Sequence, residues 1–156
     1  MPNDKALRRH LTALFSSEAA HVNFDAAVAN FPAELQDKQP AGTAHTPWQV
    51  LEHMRITQRD IVDRIGNASY RVLNFPDEYW PPAAASQKSE SWDASVAAFR
   101  ADQKILIDVI AEADLFGRTR LGANGLLLGD LFMIADHNAY HLGELILLRR
   151  LLQAWS

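Results

Sequence analysis

The stretch LLGDLFMIADHNAYHLGELILLRRLLQA, residues 127–154, decides the fold class. Leu131, Ile134, His141, Leu145, Leu148 and Leu152 recur at steps of three, four and seven residues. At 3.6 residues per turn such positions share one helix face, so the spacing predicts a long amphipathic helix from about Leu127 to Ala154. No proline interrupts it. Two histidines, His137 and His141, sit four apart near its middle. Their Cβ atoms are then roughly 6 Å apart on one face, close enough for two imidazoles to converge on one ion.

Working outward, three more segments carry the same period. Thr46-Pro47-Trp48-Gln49 reads as a helix start. It offers Thr as N-cap, Pro at the first helical position and Gln three residues after the cap. That helix is expected to run to about Ile65, with Gly66 as its stop. A third long helix is expected from Ser89 or Ser91, with the stripe Val96, Phe99, Gln103, Leu106, Ile107 and Ile110. A first is expected after Asn3 as N-cap, with Leu7, Leu11, Leu14 and Phe15 inward. Asp25 is read as the cap of a short helix ending before Pro32, residues 33–44 as a loop, and 117–125 as a turn region. Residues 66–90 hold Pro76, Pro81 and Pro82, which forbid a long helix there. This long connection also carries Tyr70, Phe75, Tyr79 and Trp80, which either cover one end of the core or contact substrate. Four long amphipathic helices predict an all-α four-helix bundle, with a crossover permitted by the long connection between the second and third.

The whole composition agrees with one domain spanning 1–156. The chain has 156 residues, 48% of them hydrophobic, enough to bury a core without staples. It contains no cysteine, so disulfides, thiolate nucleophiles and Cys-ligated metal centres are excluded. Net charge is −4, without a Lys/Arg stripe, which argues against nucleic acid as the main partner. No apolar run reaches the ~18 residues that span a bilayer. The N-terminus lacks the basic-then-apolar layout of a signal peptide, so a cytoplasmic location is expected.

The histidines carry the functional reading. His141 lies on the core stripe of its helix, and His137 lies close beside it. His53, near Val50, Met54, Thr57 and Ile61, sits on an inward stripe of the second long helix and is a candidate third ligand. Buried imidazoles need partners. A shared metal is one explanation; hydrogen bonds to buried carboxylates or carbonyls are the other. Three His from two helices match a catalytic zinc-type site, which keeps a coordination position for a non-protein ligand. Three imidazoles suit zinc, nickel, copper or iron.

Other metal motifs fail on single residues. Asn138 stands where the zincin motif needs its Glu. A di-iron site needs two Glu-x-x-His pairs, and Glu18–His21 is the single match. Glu144, three residues after His141, is read as a fourth ligand, a hydrogen-bond acceptor behind the ligand, a base, or a surface residue. Glu52 and Asp136 point about 100° from the neighbouring His and suit outer-shell or solvent roles. His10, His21 and His45 are expected at the surface or near caps.

Trp48-Gln49-Val50-Leu51-Glu52-His53, taken with Asp136-His137-Asn138-Ala139-Tyr140-His141-Leu142-Gly143-Glu144, resembles the DinB-like (DinB/YfiT) superfamily. The likeness extends over nearly the whole chain in helix order and in the place of the long connection. It implies a four-helix bundle with an atypical connection order and a divalent metal, zinc or nickel, held by His53, His137 and His141. Members often carry Gln where Glu144 stands. Characterised relatives include transferases and isomerases that use low-molecular-weight thiols, and members commonly form homodimers. The resemblance thus implies a metal-dependent transferase or hydrolase acting on a small molecule. The other reading is a non-catalytic helical bundle that binds a ligand or partner, with a structural or vestigial His site. A DNA-repair role, suggested by the family name, runs against the charge.

Overall fold

The computed structural model describes residues 2–16, 21–82, 90–119 and 125–155. Among them are five α-helices and no strand: α1 (Pro2–Phe15), α2 (Phe24–Val28), α3 (Pro47–Gly66), α4 (Glu90–Glu112) and α5 (Leu127–Leu151). A single 3-10 turn, Ala33–Leu35, lies inside the segment expected to be loop.

α3 begins as expected. The Thr46 hydroxyl accepts from Gln49 N–H, and the Gln49 side chain accepts from Thr46 N–H, so two of the orphan donors are satisfied reciprocally. Gly66 is the last helical residue, and Asn67 caps the end. Other boundaries differ from expectation by small amounts with identifiable causes. α1 starts at Pro2, whose fixed φ suits a first helical turn, so Asn3 lies inside the helix rather than capping it. Asn23, not Asp25, caps α2: its side chain accepts from Ala26 N–H. α5 stops at Leu151, three residues early, because Gln153 adopts a left-handed φ of 55°. Of the two serines proposed to start α4, Ser89 lies outside the described residues.

Hydrogen bonds fix the helix directions. Ser95 pairs with Glu52, the Gln58 amide donates to the Phe99 carbonyl, and Arg59 pairs with Asp102, so α3 and α4 run the same way. Arg8 reaches the Ile110 carbonyl and Gln103 the Phe15 carbonyl, so α1 runs against α4. His53 faces His137 and His141, and Arg64 faces Asp130, so α5 runs against α3. Two neighbouring helices that run the same way cannot be joined by a tight turn, and the chain between α3 and α4 must travel back along their length.

Two apolar clusters result. One joins α2 to the first halves of α3 and α4 and the last half of α5, through Trp48, Leu51, Met54, Phe99 and Leu145. The other joins α1 to the second halves of α3 and α4 and the first half of α5, through Leu11, Ile61, Leu106, Ile110 and Leu131. Leu11 and Phe15 are buried as expected, but Leu14 is 53% exposed. It sits about 60° round the helix from Leu11 and 100° from Phe15, beyond the face that α1 presents to α4 and α5. Arg149 is buried without a carboxylate partner among the described residues. Its guanidinium donates to the carbonyls of Ala26, Ala27 and Ala154, tying the end of α2 to the end of the chain. The polar seam between α3 and α5 lies between the two clusters.

Candidate metal centre

His53 comes from the first half of α3, and His137 and His141 from the middle of α5. The antiparallel packing of the two helices brings all three rings together. His53 Nε2 lies 3.0 Å from His137 Nε2 and 3.1 Å from His141 Nε2. One ligand atom from each ring falls within 4.8 Å of the others, and this is the one such His/Asp/Glu group among the described residues. The expected convergence of these rings is therefore observed.

The outer nitrogens set the proton positions. His53 Nδ1 is 2.9 Å from the Tyr79 carbonyl, which can only accept, so Nδ1 carries the hydrogen and Nε2 a lone pair. His141 Nδ1 is 2.9 Å from Glu144 Oε2. The His141 ring beside Glu144 holds its carboxyl below the usual range, so it accepts. In the neutral ring His141 Nε2 then also offers a lone pair. His137 can donate from Nε2 to one neighbour, leaving its buried Nδ1 without a partner among the described residues. With both rings neutral, His53 and His141 would set two lone pairs 3.1 Å apart, a contact that a shared cation, proton or metal, relieves. A shared metal ion would take one lone pair from each Nε2, while His137 Nδ1 keeps no partner among the described residues. Tetrahedral zinc ligands at about 2.0–2.1 Å lie roughly 3.3–3.4 Å from one another, and both His53 distances are within a few tenths of an ångström of that spacing. The donor set is compatible with a divalent metal.

The protonation state agrees. Burial pushes His53 and His137 down from 6.5 to about 4, and the Tyr79 carbonyl offsets this only in part for His53. Both rings are neutral at physiological pH, as a metal ligand must be. The interaction of Glu144 with His141 is the acceptor role among the alternatives above; the carboxylate lies on the outer nitrogen, away from the convergence point.

The long connection supplies more than its aromatic residues suggested. Trp80 lies flat on His53, with ring centroids 3.8 Å apart and planes at 5°. His45 stacks on Trp80 at 3.8 Å. His45 is therefore half-buried in a three-ring stack rather than a plain surface residue, whereas His10 and His21 are exposed as expected. Glu18 lies outside the described residues. The Tyr79 carbonyl orients His53 while its hydroxyl donates to Asp60, which also accepts from Tyr70 and pairs with Arg64. Arg64 in turn pairs with Asp130, which accepts from Thr119. This buried network latches the connection onto α3 and α5. Asp60 and Arg64 follow His53 by seven and eleven residues on its stripe, a signal present in the sequence. The Tyr79 carbonyl carries none. Glu52 pairs with Arg55 and Ser95, and Asp136 is exposed, so neither touches a histidine.

A cleft of about 360 Å³ opens beside the three rings. His53, Thr57 and Arg64 line it from α3, Met133, His137 and His141 from α5, and Phe75, Tyr79 and Trp80 roof it. A centre built on rigid helices, with outer hydrogen bonds and an adjoining cleft, can polarise a bound ligand or lower the pKa of a bound water or thiol. The model of the DinB superfamily matches residues 17–145, and the chain belongs to that superfamily. No curated protein and no solved structure matches it.

Proposed function

We propose that this member of the DinB superfamily is a metal-dependent enzyme acting on a small molecule, of the thiol-S-transferase or a related transferase or hydrolase type. His53, His137 and His141 would hold a divalent ion, zinc or nickel, and Glu144 would orient His141. The single observation that carries the reading is the convergence of one ligand atom each from His53, His137 and His141 within 4.8 Å of one another, with Nδ1 of His53 on the Tyr79 carbonyl and Nδ1 of His141 on Glu144. The metal when bound supplies Lewis acidity toward the ligand it shares with the three rings. The chain's own residues hold neutral imidazoles, fix their orientation through Tyr79 and Glu144, and shelter one side with Trp80. Because the chain contains no cysteine, a thiol reactant has to be an external low-molecular-weight thiol. The non-catalytic alternative, a ligand- or partner-binding bundle with a structural His site, fits less well, since a structural zinc normally has four protein ligands.

The test is metal analysis of gently purified protein, then of stripped protein reloaded with zinc or nickel. About one ion per chain is expected. Protein that takes up none in either form would end the metalloenzyme reading.

The helix directions support a four-helix bundle of the DinB type, with the long connection crossing between α3 and α4, folded as one domain over 1–156. No helix among the described residues is long and apolar enough to cross a membrane. With net charge −4, neither nucleic acid nor a membrane is proposed as a partner, and a cytoplasmic location is. A homodimer is proposed through α5. Tyr140, Leu147 and Leu151 are each more than half exposed and share a stripe with Gly143, whose missing side chain allows close approach. Sedimentation of the Tyr140→Lys/Leu147→Lys double variant is expected to show single chains where the wild type shows pairs. A wild type that sediments as single chains at micromolar concentration would remove the homodimer.

A further inference from the structure

The charged groups of the cleft beside the three histidines are already spent. Asp60 and Arg64 are its charged lining residues among those described. The two terminal nitrogens of Arg64 donate to Asp60 and Asp130, so two carboxylates stand against one guanidinium. Both oxygens of Asp60 also accept from hydroxyls, those of Tyr70 and Tyr79. Drawing Arg64 away to meet an anionic ligand would strand two buried carboxylates. Thr57 Oγ1, Arg64 Nε and His137 Nδ1 have no partner among the described residues, but each is buried in the protein and offers a ligand almost no surface.

The apolar groups are the available ones. Phe75, on the connection, is 76% exposed, and Met133, on α5, is 45% exposed. Both line the cleft. Met133 precedes His137 by four residues, so it stands one turn away on the same face of α5. The Phe75 ring lies 6.1 Å from that of Tyr79, and most of it is open. Trp80 has no such freedom, since its ring is stacked with both His53 and His45. An open phenyl ring and a flexible thioether are both favourable neighbours for an aromatic ligand. The cleft holds about 360 Å³, near the lower end of the roughly 300–1,000 Å³ of ligand pockets, which suits one ring on a short chain.

We propose that this cleft takes an uncharged aromatic substrate, a single ring on a short reactive arm, and that Phe75 and Met133 determine this specificity. Phe75 packs against the ring from the connection and Met133 from α5, while the arm carries the reacting atom toward the histidines. This rests on the reading of the three histidines as a metal centre, and it adds the substrate class to that reading. Neither side chain takes part in holding the metal.

Two measurements on the full chain test the proposal. The first needs no metal. Benzyl alcohol is titrated into metal-free protein labelled with ¹³C at the methionine methyls. Met133, assigned from Met133→Leu, is expected to shift saturably, and Met54, which lines a separate cavity, to stay in place. Phe75→Ala is expected to weaken that binding about fivefold. The second uses Co²⁺-loaded protein, whose visible absorption reports ligand exchange, titrated with benzyl mercaptan, 2-mercaptoethanol and 4-(mercaptomethyl)benzoate. Benzyl mercaptan is expected to bind about tenfold tighter than mercaptoethanol, and that advantage to fall to about twofold in Phe75→Ala/Met133→Ala, with Co²⁺ affinity unchanged. The benzoate, which has the same ring with a carboxylate, is expected to bind more weakly than benzyl mercaptan. Both truncated side chains are exposed, so the core is left intact. A Met133 methyl that ignores benzyl alcohol, or a shift of Met54 alone, overturns the aromatic specificity whatever the metal does. The same thiol preference in wild type and double variant overturns the part given to Phe75 and Met133. A benzoate bound as tightly as benzyl mercaptan overturns the uncharged class. Protein that shifts at Met133 yet takes up no Co²⁺ overturns the metal reading, and with it the substrate role of the cleft.

Discussion

His141→Ala is expected to lose metal affinity by well over a hundredfold, and Glu144→Ala by ten- to a hundredfold. The order follows from what each side chain does. His141 offers Nε2 at the convergence point, 3.1 Å from His53 Nε2, and its removal takes away one of three donors. Glu144 touches only the outer nitrogen, at 2.9 Å, where it fixes the ring and raises its basicity. Loss of such an outer partner typically costs 10- to 100-fold in affinity, so loss of the donor itself must cost more. Glu144→Gln should fall below tenfold, because the amide oxygen still accepts from Nδ1–H. Competition against a chromophoric chelator measures all three, with circular dichroism to confirm that the helices persist. His141→Ala that retains an ion as tightly as wild type would place the metal elsewhere. Glu144→Ala indistinguishable from wild type would return that carboxylate to the surface role considered for it.

These residues were legible in sequence to different degrees, and the difference has a physical basis. His137 and His141 declare themselves because a helix turns a four-residue spacing into a shared face. His53 follows because the inward stripe of α3 is well marked by Val50, Met54 and Ile61, and because the capping box at Thr46 fixes where that helix starts. Trp80 and the Tyr79 carbonyl are not legible in the same way. Their positions depend on the path of a connection with no periodicity, set by the hydroxyl bonds of Tyr70 and Tyr79 to Asp60. A backbone carbonyl is present at every residue, so nothing marks the one at position 79. His45 lies next to the Thr46 cap as expected, but its stacking is not legible for the same reason, since its partner Trp80 comes from 35 residues further along the chain. Asp60 and Arg64 continue a readable stripe, but an inward stripe is traced by its apolar members. Charged residues continuing that stripe are the signal of a buried polar network. The early end of α5 has no such mark: Gln153 takes a left-handed conformation usually reserved for glycine or asparagine.

Acidification of the metal-free protein should cost it several kcal/mol between about pH 6.5 and pH 4. His53 and His137 have pKa values near 4 in the fold, against about 6.5 in the unfolded chain. Below 6.5 the unfolded chain takes up protons that the buried rings refuse. Its proton count exceeds that of the fold, and stability therefore falls as pH falls. The contribution is fully present above pH 6.5 and is lost progressively until the folded rings themselves protonate near pH 4. Each ring accounts for on the order of 3 kcal/mol over that window, large against the 5–15 kcal/mol total of an ordinary domain. Urea midpoints of the stripped protein at pH 7 and pH 4.5 measure it, and the His53→Gln/His137→Gln double variant should flatten the slope. The same depressed values keep both rings free of protons in the fold, so proton competition at His53 and His137 sets in only near pH 4. The share of proton competition that these two rings contribute should accordingly set in at lower pH than for histidines in an unfolded peptide, where it begins near 6.5. Unchanged midpoints between pH 7 and pH 4.5 would mean that these rings are charged or solvated in the metal-free fold. A metal centre there would then have to displace their protons, and the preformed character assigned to it would be lost.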